Sequence, residues 1–372
     1  MKLLGEFSKR RQECRSIKCL NTSGTAIAEQ IRLRLSPERL SALERRQTRN
    51  AEAFDLYLRG RHVWHQMKPP TTKRAIEFFA RATQLDPKYA LAWSGIADAT
   101  TASPINGDVS TGAVGPMARE AVANAIGAEP ELAEAQTSLG FLKFWFEWDW
   151  PAAEAAYRKA IALDPNYHMA HRMLGILLSH MNRPEEARPA IRRARELEPL
   201  LAISQALSSQ VAFAGRDYAA AVEFARQAIV VDPHFWIGHF QMAQVQTHLG
   251  NSEAAFEALN EAGRTSGGNS KVIGLRGYLC AKLGRKEEAL AALQTLEAVA
   301  REKFVPPYAM ALIHAGLAQR DAALEWLERA YAARDVHIIF LSIDPKWNEF
   351  RGEARFLSLL GRCGITEYSL PG

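Results

Sequence analysis

Apolar positions recur along this chain with spacings of three and four. They appear as Ala75, Phe79, Ala82; Ala118, Val122, Ala125; Ala153, Tyr157, Ala160; Ala187, Ile191, Ala194; and Ala221, Ala225, Ala228. Such spacing places three side chains on one face of a helix. Alanine at the outer positions lets a neighbouring backbone approach, while the larger middle residue fills the space between layers. Shortly after each triad comes a proline, in QLDPKYA, GAEPELA, ALDPNYH, ELEPLLA and VVDPHFW. These prolines are Pro87, Pro130, Pro165, Pro199 and Pro233, separated by 43, 35, 34 and 34 residues. Proline stops a helix and disfavours helical geometry at the preceding residue, so each marks a helix end. A second helix is expected after each, with small residues at Gly140 and Gly175 beside Leu139 and Leu174.

A 34-residue helix–turn–helix period resembles the tetratricopeptide repeat (TPR) family, most closely over residues 168–235. Extending the register predicts an all-α, right-handed TPR solenoid of about eight units. Their bounds are 53–89, 90–132, 133–167, 168–201, 202–235, 236–269, 270–303 and 304–337. The last three lack the terminal proline but keep Ala255, Leu259, Ala262 and Ala323, Leu327, Ala330. The extra length in the first two units, at Pro69 and Pro70 and from Ala102 to Pro116, reads as loop by its Gly, Ser and Pro content. Residues 338–372, with the apolar stretch Ile338 to Ile343, are expected to cap the array with a polar outer face. Residues 25–52 are expected to be helical, with Ser36 and Pro37 as N-cap and first position of a second helix.

Two stretches narrow the resemblance: Phe144, Trp145, Phe146, Glu147, Trp148, Asp149, Trp150 followed by PAAEAAYRKAIALDP, and IRLRLSPERLSALERRQTRNAEAFDLYLRGRHVW. Over residues 25–365 the chain is similar to the C-terminal TPR part of bacterial signalling proteins that follow a TolB-like, cyclase or winged-helix DNA-binding domain. Nothing upstream of Ala26 matches those domains, so their activities do not carry over. The expectation is a stand-alone or shortened relative with residues 1–24 as a basic, disordered leader.

Charge supports that division. Residues 1–50 carry 12 Lys and Arg against 5 acidic residues, whereas the remainder carries 34 against 36. A near-neutral body is not a nucleic-acid surface, and no nucleic-acid partner is expected of the array. The four cysteines, Cys14, Cys19, Cys280 and Cys363, match neither a metal site nor a disulfide framework, which predicts free thiols in a reducing, cytoplasmic setting. No apolar run reaches the length of about 20 residues needed to span a bilayer.

In TPR proteins the first helix of each unit lines a concave surface that holds peptides. Carried over by position, the resemblance implies a groove formed by Thr137, Phe141, Phe144, Met169, Arg172, Ile176, Ile203, Gln210, Phe213, Ile237, Phe240, Gln244 and Tyr278, with Ser179, Ala206 and Thr247 beside them. The lysine and asparagine clamp by which TPR co-chaperones grip acidic tails is replaced by Arg172 and Ile176. Trp145, Trp148 and Trp150 offer either a ligand-stacking box or inter-helix turn packing. His168, His171 and His180 lack a carboxylate or cysteine at metal spacing, so no metal is expected. Arg188, Arg192 and Arg195 form a stripe expected on the solvated convex face. No nucleophile elbow, phosphate loop, zinc-protease or kinase motif is present, so no catalysis and no cofactor are expected. The expected function is a scaffold binding a protein or peptide. The alternative is a sensor module whose effector lies on another chain or has been lost.

Overall fold

The computed structural model describes residues 48–365. The expected leader and the helical segment before residue 48 lie outside the described residues, as do the last seven residues of the expected cap. The described residues are helical throughout, with no strand among them. Eight consecutive helix pairs can be distinguished. They are α1 (Ala51–Trp64) with α2 (Pro69–Leu85), α3 (Ala90–Asn106) with α4 (Thr111–Ala128), and α5 (Ala133–Leu142) with α6 (Trp150–Leu163). Then come α7 (His168–His180) with α8 (Pro184–Leu197), α9 (Ala202–Ala214) with α10 (Tyr218–Val231), and α11 (Trp236–His248) with α12 (Ser252–Ser266). The series ends with α13 (Ser270–Lys282) paired with α14 (Lys286–Val299), and α15 (Pro307–Gly316) with α16 (Arg320–Ala332). Two 3₁₀ segments, Val336–Ser342 and Pro345–Phe350, lead to α17 (Ala354–Arg362).

The alanine triads build the core as their spacing implies. Ala153, Tyr157 and Ala160 are wholly buried, and a Cβ placed on Gly140 of α5 would lie 2.5 Å from the Tyr157 ring. Glycine is therefore required there: the aromatic ring fills the space that any larger residue on the facing helix needs. Phe79 repeats the arrangement two pairs earlier, pressing on Gly60 and Gly95 together.

The turns are built by two recurring devices. At the Asp-Pro turns, the Asp86, Asp164 and Asp232 carboxylates accept the backbone N–H two residues on, an Asx turn that ends the helix. Six residues after each proline, a side chain then ties back to the proline carbonyl: Trp93 to Pro87 (2.9 Å), Gln136 to Pro130 (2.7 Å), His171 to Pro165 (2.9 Å), Gln205 to Pro199 (3.5 Å) and His239 to Pro233 (2.9 Å). His171 is thus a turn clamp, and its Nε2 donates. Within pairs, the turn residues Asn182, Arg216, Gly250, Gly284 and Ala318 have positive φ. The next residue's N–H reaches back to the carbonyl five residues before it, as from Gln319 to His314 (3.0 Å), the bond that closes a Schellman turn.

Two expectations about loops are corrected. Pro69 and Pro70 are the first two residues of α2, where a proline's missing N–H would have had no intrahelical partner. Ala102 to Asn106 continue α3 and Thr111 to Pro116 open α4, so only residues 107–110 connect them. Tertiary contact stabilises this extension despite its composition. The Ile105 carbonyl accepts from Lys271 Nζ (3.1 Å), and the Asn106 carbonyl accepts from Asn269 Nδ2 (2.9 Å).

These bonds belong to a larger closure. First helices of successive pairs pack on one another while second helices splay outward, so the array bends toward its first helices. The bend brings the first two pairs against the sixth and seventh. Trp236 Nε1 donates to the Met67 carbonyl (3.2 Å), the Ser270 N–H donates to Asp108 (3.2 Å), and Lys303 pairs with Asp108 (2.8 Å).

Candidate binding site on the concave face

The interior of this closed turn is lined by first helices and by the chain's own C-terminal segment. Ile338 to Ile343 does not lie at the end of the array, where a cap would be. Instead Val336–Ser342 runs back along the concave side, touching α3, α7 and the turn after α5. Phe340 packs on Trp145 (6.3 Å between ring centroids) and His180 (5.2 Å), and Ser342 Oγ donates to the His180 carbonyl (3.4 Å). Further along, Lys346 Nζ pairs with Asp344 (2.8 Å) and donates to Gln244 Oε1 (3.0 Å). Trp347 Nε1 donates to the Tyr308 hydroxyl (2.8 Å). An apolar run such as IIFLSI covers hydrophobic area by lying in the groove rather than at a solvated end.

The tryptophan cluster holds this segment's flank. One residue more separates the starts of α5 and α6 than those of α7 and α8, and it is accommodated as a π-helical turn, Lys143–Glu147. Such turns reorient the side chains that follow them. Trp148 stacks beneath Arg334 (4.3 Å) and beside Tyr331 (5.6 Å), and Trp150 Nε1 donates to the Cys363 carbonyl (3.0 Å). The cluster packs the inter-helix turn of the third pair, with Phe144 against Trp145 (5.0 Å) and Trp150 (5.2 Å), and it also clamps that pair to the C-terminal helices, a role its sequence did not suggest.

Two spaces remain inside. The larger, about 670 Å³ counted to its open mouth, is lined by Phe141, Met169, Arg172, Ile176, Ile203, Gln210, Ile237 and Phe240, all of them expected groove residues. Trp64, Trp145, Trp236, Lys271 and Phe340 complete its wall. The second, about 540 Å³, shares Gln210, Phe240, Gln241, Lys271 and Phe340 and is bounded further by Gln244, His337, Asp344 and Lys346. Lys271 was within reach of sequence reasoning, since the position rule that gives Tyr278 in the seventh unit also falls on it. Trp64 and Phe340 carry no such signal, because only the closure brings them here.

The other expected groove residues lie elsewhere. Thr137 is buried and its hydroxyl donates to the Ala133 carbonyl of its own helix (2.8 Å). Phe144 is packed among Trp145, Trp150 and His180. Phe213 contacts Tyr218 and His248 under Lys346. Tyr278 is buried and lines neither space. Of the flanking positions, Ser179 and Ala206 are buried and Thr247 is half-buried with its hydroxyl unpartnered.

Electrostatics are uneven. Arg172 is 3% exposed, its Nη1 donates only to Ser204 Oγ (3.4 Å), and its Nε has no partner. Burial holds its pKa down, to about 10. Lys271 Nζ bonds the Ile105 carbonyl and lies over the Phe240 (5.3 Å) and Trp236 (5.6 Å) rings; burial lowers its pKa to about 8. Asp98, 1% exposed and accepting from Ser138 Oγ (2.6 Å), is pushed up to about 7 by burial. The convex arginines differ: Arg188 pairs with Glu185 (2.8 Å), Arg192 with Glu196 (3.9 Å), and Arg195 lies over Phe224 (4.0 Å). His168 is half-buried with Nδ1 unpartnered, and no cluster of three or more metal-ligating side chains occurs among the described residues. Cys280 and Cys363 are buried free thiols. No helix among the described residues is long and apolar enough to cross a membrane.

Two family models, both described as tetratricopeptide repeat, match residues 216–342 and 156–188. No curated protein matches the chain in sequence. Among solved structures, the APC/C hetero-tetramer Cut9-Hcn1 is similar at 12% identity with a TM-score of 0.57, over 83% of this chain and 55% of that one. The human IFIT1 dimer with m7Gppp-AAAA is similar at 13% and 0.57, over 78% and 68%. The type IV pilus biogenesis factor PilW matches at 14% and 0.44, over 56% and 95%. At these identities the likeness is one of fold.

Proposed function

We propose that this tetratricopeptide-repeat protein is a non-catalytic scaffold that binds a polypeptide on the concave face of its fifth to eighth helix pairs. Such repeats generally mediate protein–protein interactions. The observation that carries the reading is that the concave face already grips a polypeptide, the Val336–Phe350 segment, through side-chain bonds from and to first helices. Beside that segment lies the recess bounded by Gln241, Gln244, Phe240, Asp344 and Lys346. Amides there pair with the backbone of an extended ligand, and the Phe240 ring receives one apolar anchor.

The test is site-specific photocrosslinking. Benzoylphenylalanine at Gln244 should capture a polypeptide partner, and the same group at Arg188 on the convex face should not. Crosslinks confined to Arg188 overturn the assignment.

A second reading is a sensor module, consistent with the resemblance of residues 25–365 to the TPR part of bacterial regulators. The cavity lined by Arg172 and Lys271 favours it, since a regulatory module needs a place for a signal.

A further inference from the structure

The larger interior cavity joins three kinds of observation. Its walls are aromatic and aliphatic, with Trp64, Trp145, Trp236, Phe141 and Phe240 on several sides. Counted out to its open mouth, solvent included, its space is about 670 Å³. Four of its lining side chains carry a buried polar atom without a partner, Arg172 Nε, Gln210 Nε2, Trp64 Nε1 and Trp145 Nε1, every one a donor.

A buried donor left unpaired is costly, and four on the side chains of one apolar lining favour an acceptor-rich occupant. The cations agree. Among the described residues neither Arg172 nor Lys271 has a carboxylate within 4.0 Å, and the acids nearest them electrostatically are committed to other donors. Asp98 accepts from Ser138, Asp108 takes Lys303 and the Ser270 N–H, and Asp335 takes His337 and the Tyr308 N–H. That burial lowers the pKa of both cations, more than those acids raise it, reflects the same missing counter-charge.

We propose that this cavity is a binding site for a small organic anion with an apolar body, its acid group facing Lys271 and Arg172 and its body lying among the tryptophans. Aromatic plates and aliphatic chains share this chemistry. The site is independent of the polypeptide reading: it needs no partner chain, and failure of either leaves the other standing.

The experiment titrates the full chain by calorimetry, and in parallel by tryptophan fluorescence, with naphthylacetate, with its neutral amide, and with myristate. Naphthylacetate or myristate should bind, the acid at least about tenfold more tightly than the amide where the plate is accepted, because a charge-assisted bond in a desolvated site exceeds a neutral one. Tight myristate with weak naphthylacetate identifies a chain-shaped ligand, and the reverse a plate. Lys271→Met should reduce binding of the preferred acid about tenfold or more. Ile237→Trp, which fills the space, should abolish it. Circular dichroism verifies that each variant is folded. Failure of both acids to bind at millimolar concentration overturns the proposal. So does unchanged acid binding in both folded variants, or equal binding of acid and amide with no binding of myristate.

Discussion

Placing a methyl on Gly140 should destabilise the protein, although alanine is the better helix former. The exchange gains about 0.5–1 kcal/mol of helix propensity. Against this, the new Cβ would lie 2.5 Å from Cε1 and 2.7 Å from Cδ1 of Tyr157, a ring with no exposed surface and no route to solvent. Overpacking of this kind costs about 1–3 kcal/mol, so Gly140→Ala should lose stability overall. Tyr157→Ala should lose about 3–5 kcal/mol, the range for truncating a buried aromatic. In the double variant the methyl enters the space the ring has left, so the two losses do not add. Gly140→Ala with Tyr157→Ala should be no less stable than Tyr157→Ala alone, a coupling of about 1–3 kcal/mol. Guanidinium titrations followed by far-ultraviolet circular dichroism read each variant as a shift in midpoint at constant slope. Additivity within about 0.5 kcal/mol would refute the claim that these two residues define one packing layer.

Three further outcomes are expected. Tyr157→Phe removes a buried hydroxyl that has no partner, so thermal or chemical denaturation should show it as stable as the parent or up to about 1 kcal/mol more so. Ala318 holds φ of 57° where the equivalent turns use Gly250 and Gly284, and Ala318→Gly should stabilise by about 1 kcal/mol; a loss of stability would show the turn to be unstrained. Asp98 binds its proton more tightly folded than unfolded, with a pKa raised from 3.8 to about 7 by burial. Its contribution is therefore full below the unfolded value and is lost as pH rises toward 7. Asp98→Asn should gain on the parent between about pH 4 and pH 7, and a constant difference across that window would contradict the assignment.

The helix pairs were legible because their determinants are local. Asp-Pro turns, alanine triads and glycines opposite aromatic rings all act within one period, and a period repeats its evidence. The closure was not legible, because it depends on contacts such as Trp236 to Met67 and Asn269 to Asn106 between residues far apart in sequence. From that one omission follow the others. The Pro104 helix is held by partners across the turn, Trp148 and Trp150 grip the C-terminal helices, and Ile338 to Ile343 fills the groove. The position rule identified which side chains face inward at Arg172, Gln210 and Phe240. It had no means of showing how much of that inner surface the chain itself would cover.

The central claim, recognition of a polypeptide on the concave face, is tested most directly by calorimetric titration of a crosslinked and purified partner against the parent, Phe240→Ala and Arg188→Ala proteins, all verified as folded. Phe240→Ala should weaken binding by at least about 1–2 kcal/mol, as loss of an aromatic anchor does, while Arg188→Ala on the exposed convex helix should change it little. Unchanged affinity for Phe240→Ala together with lost binding for Arg188→Ala would contradict the concave-face account and assign recognition to the convex arginine stripe.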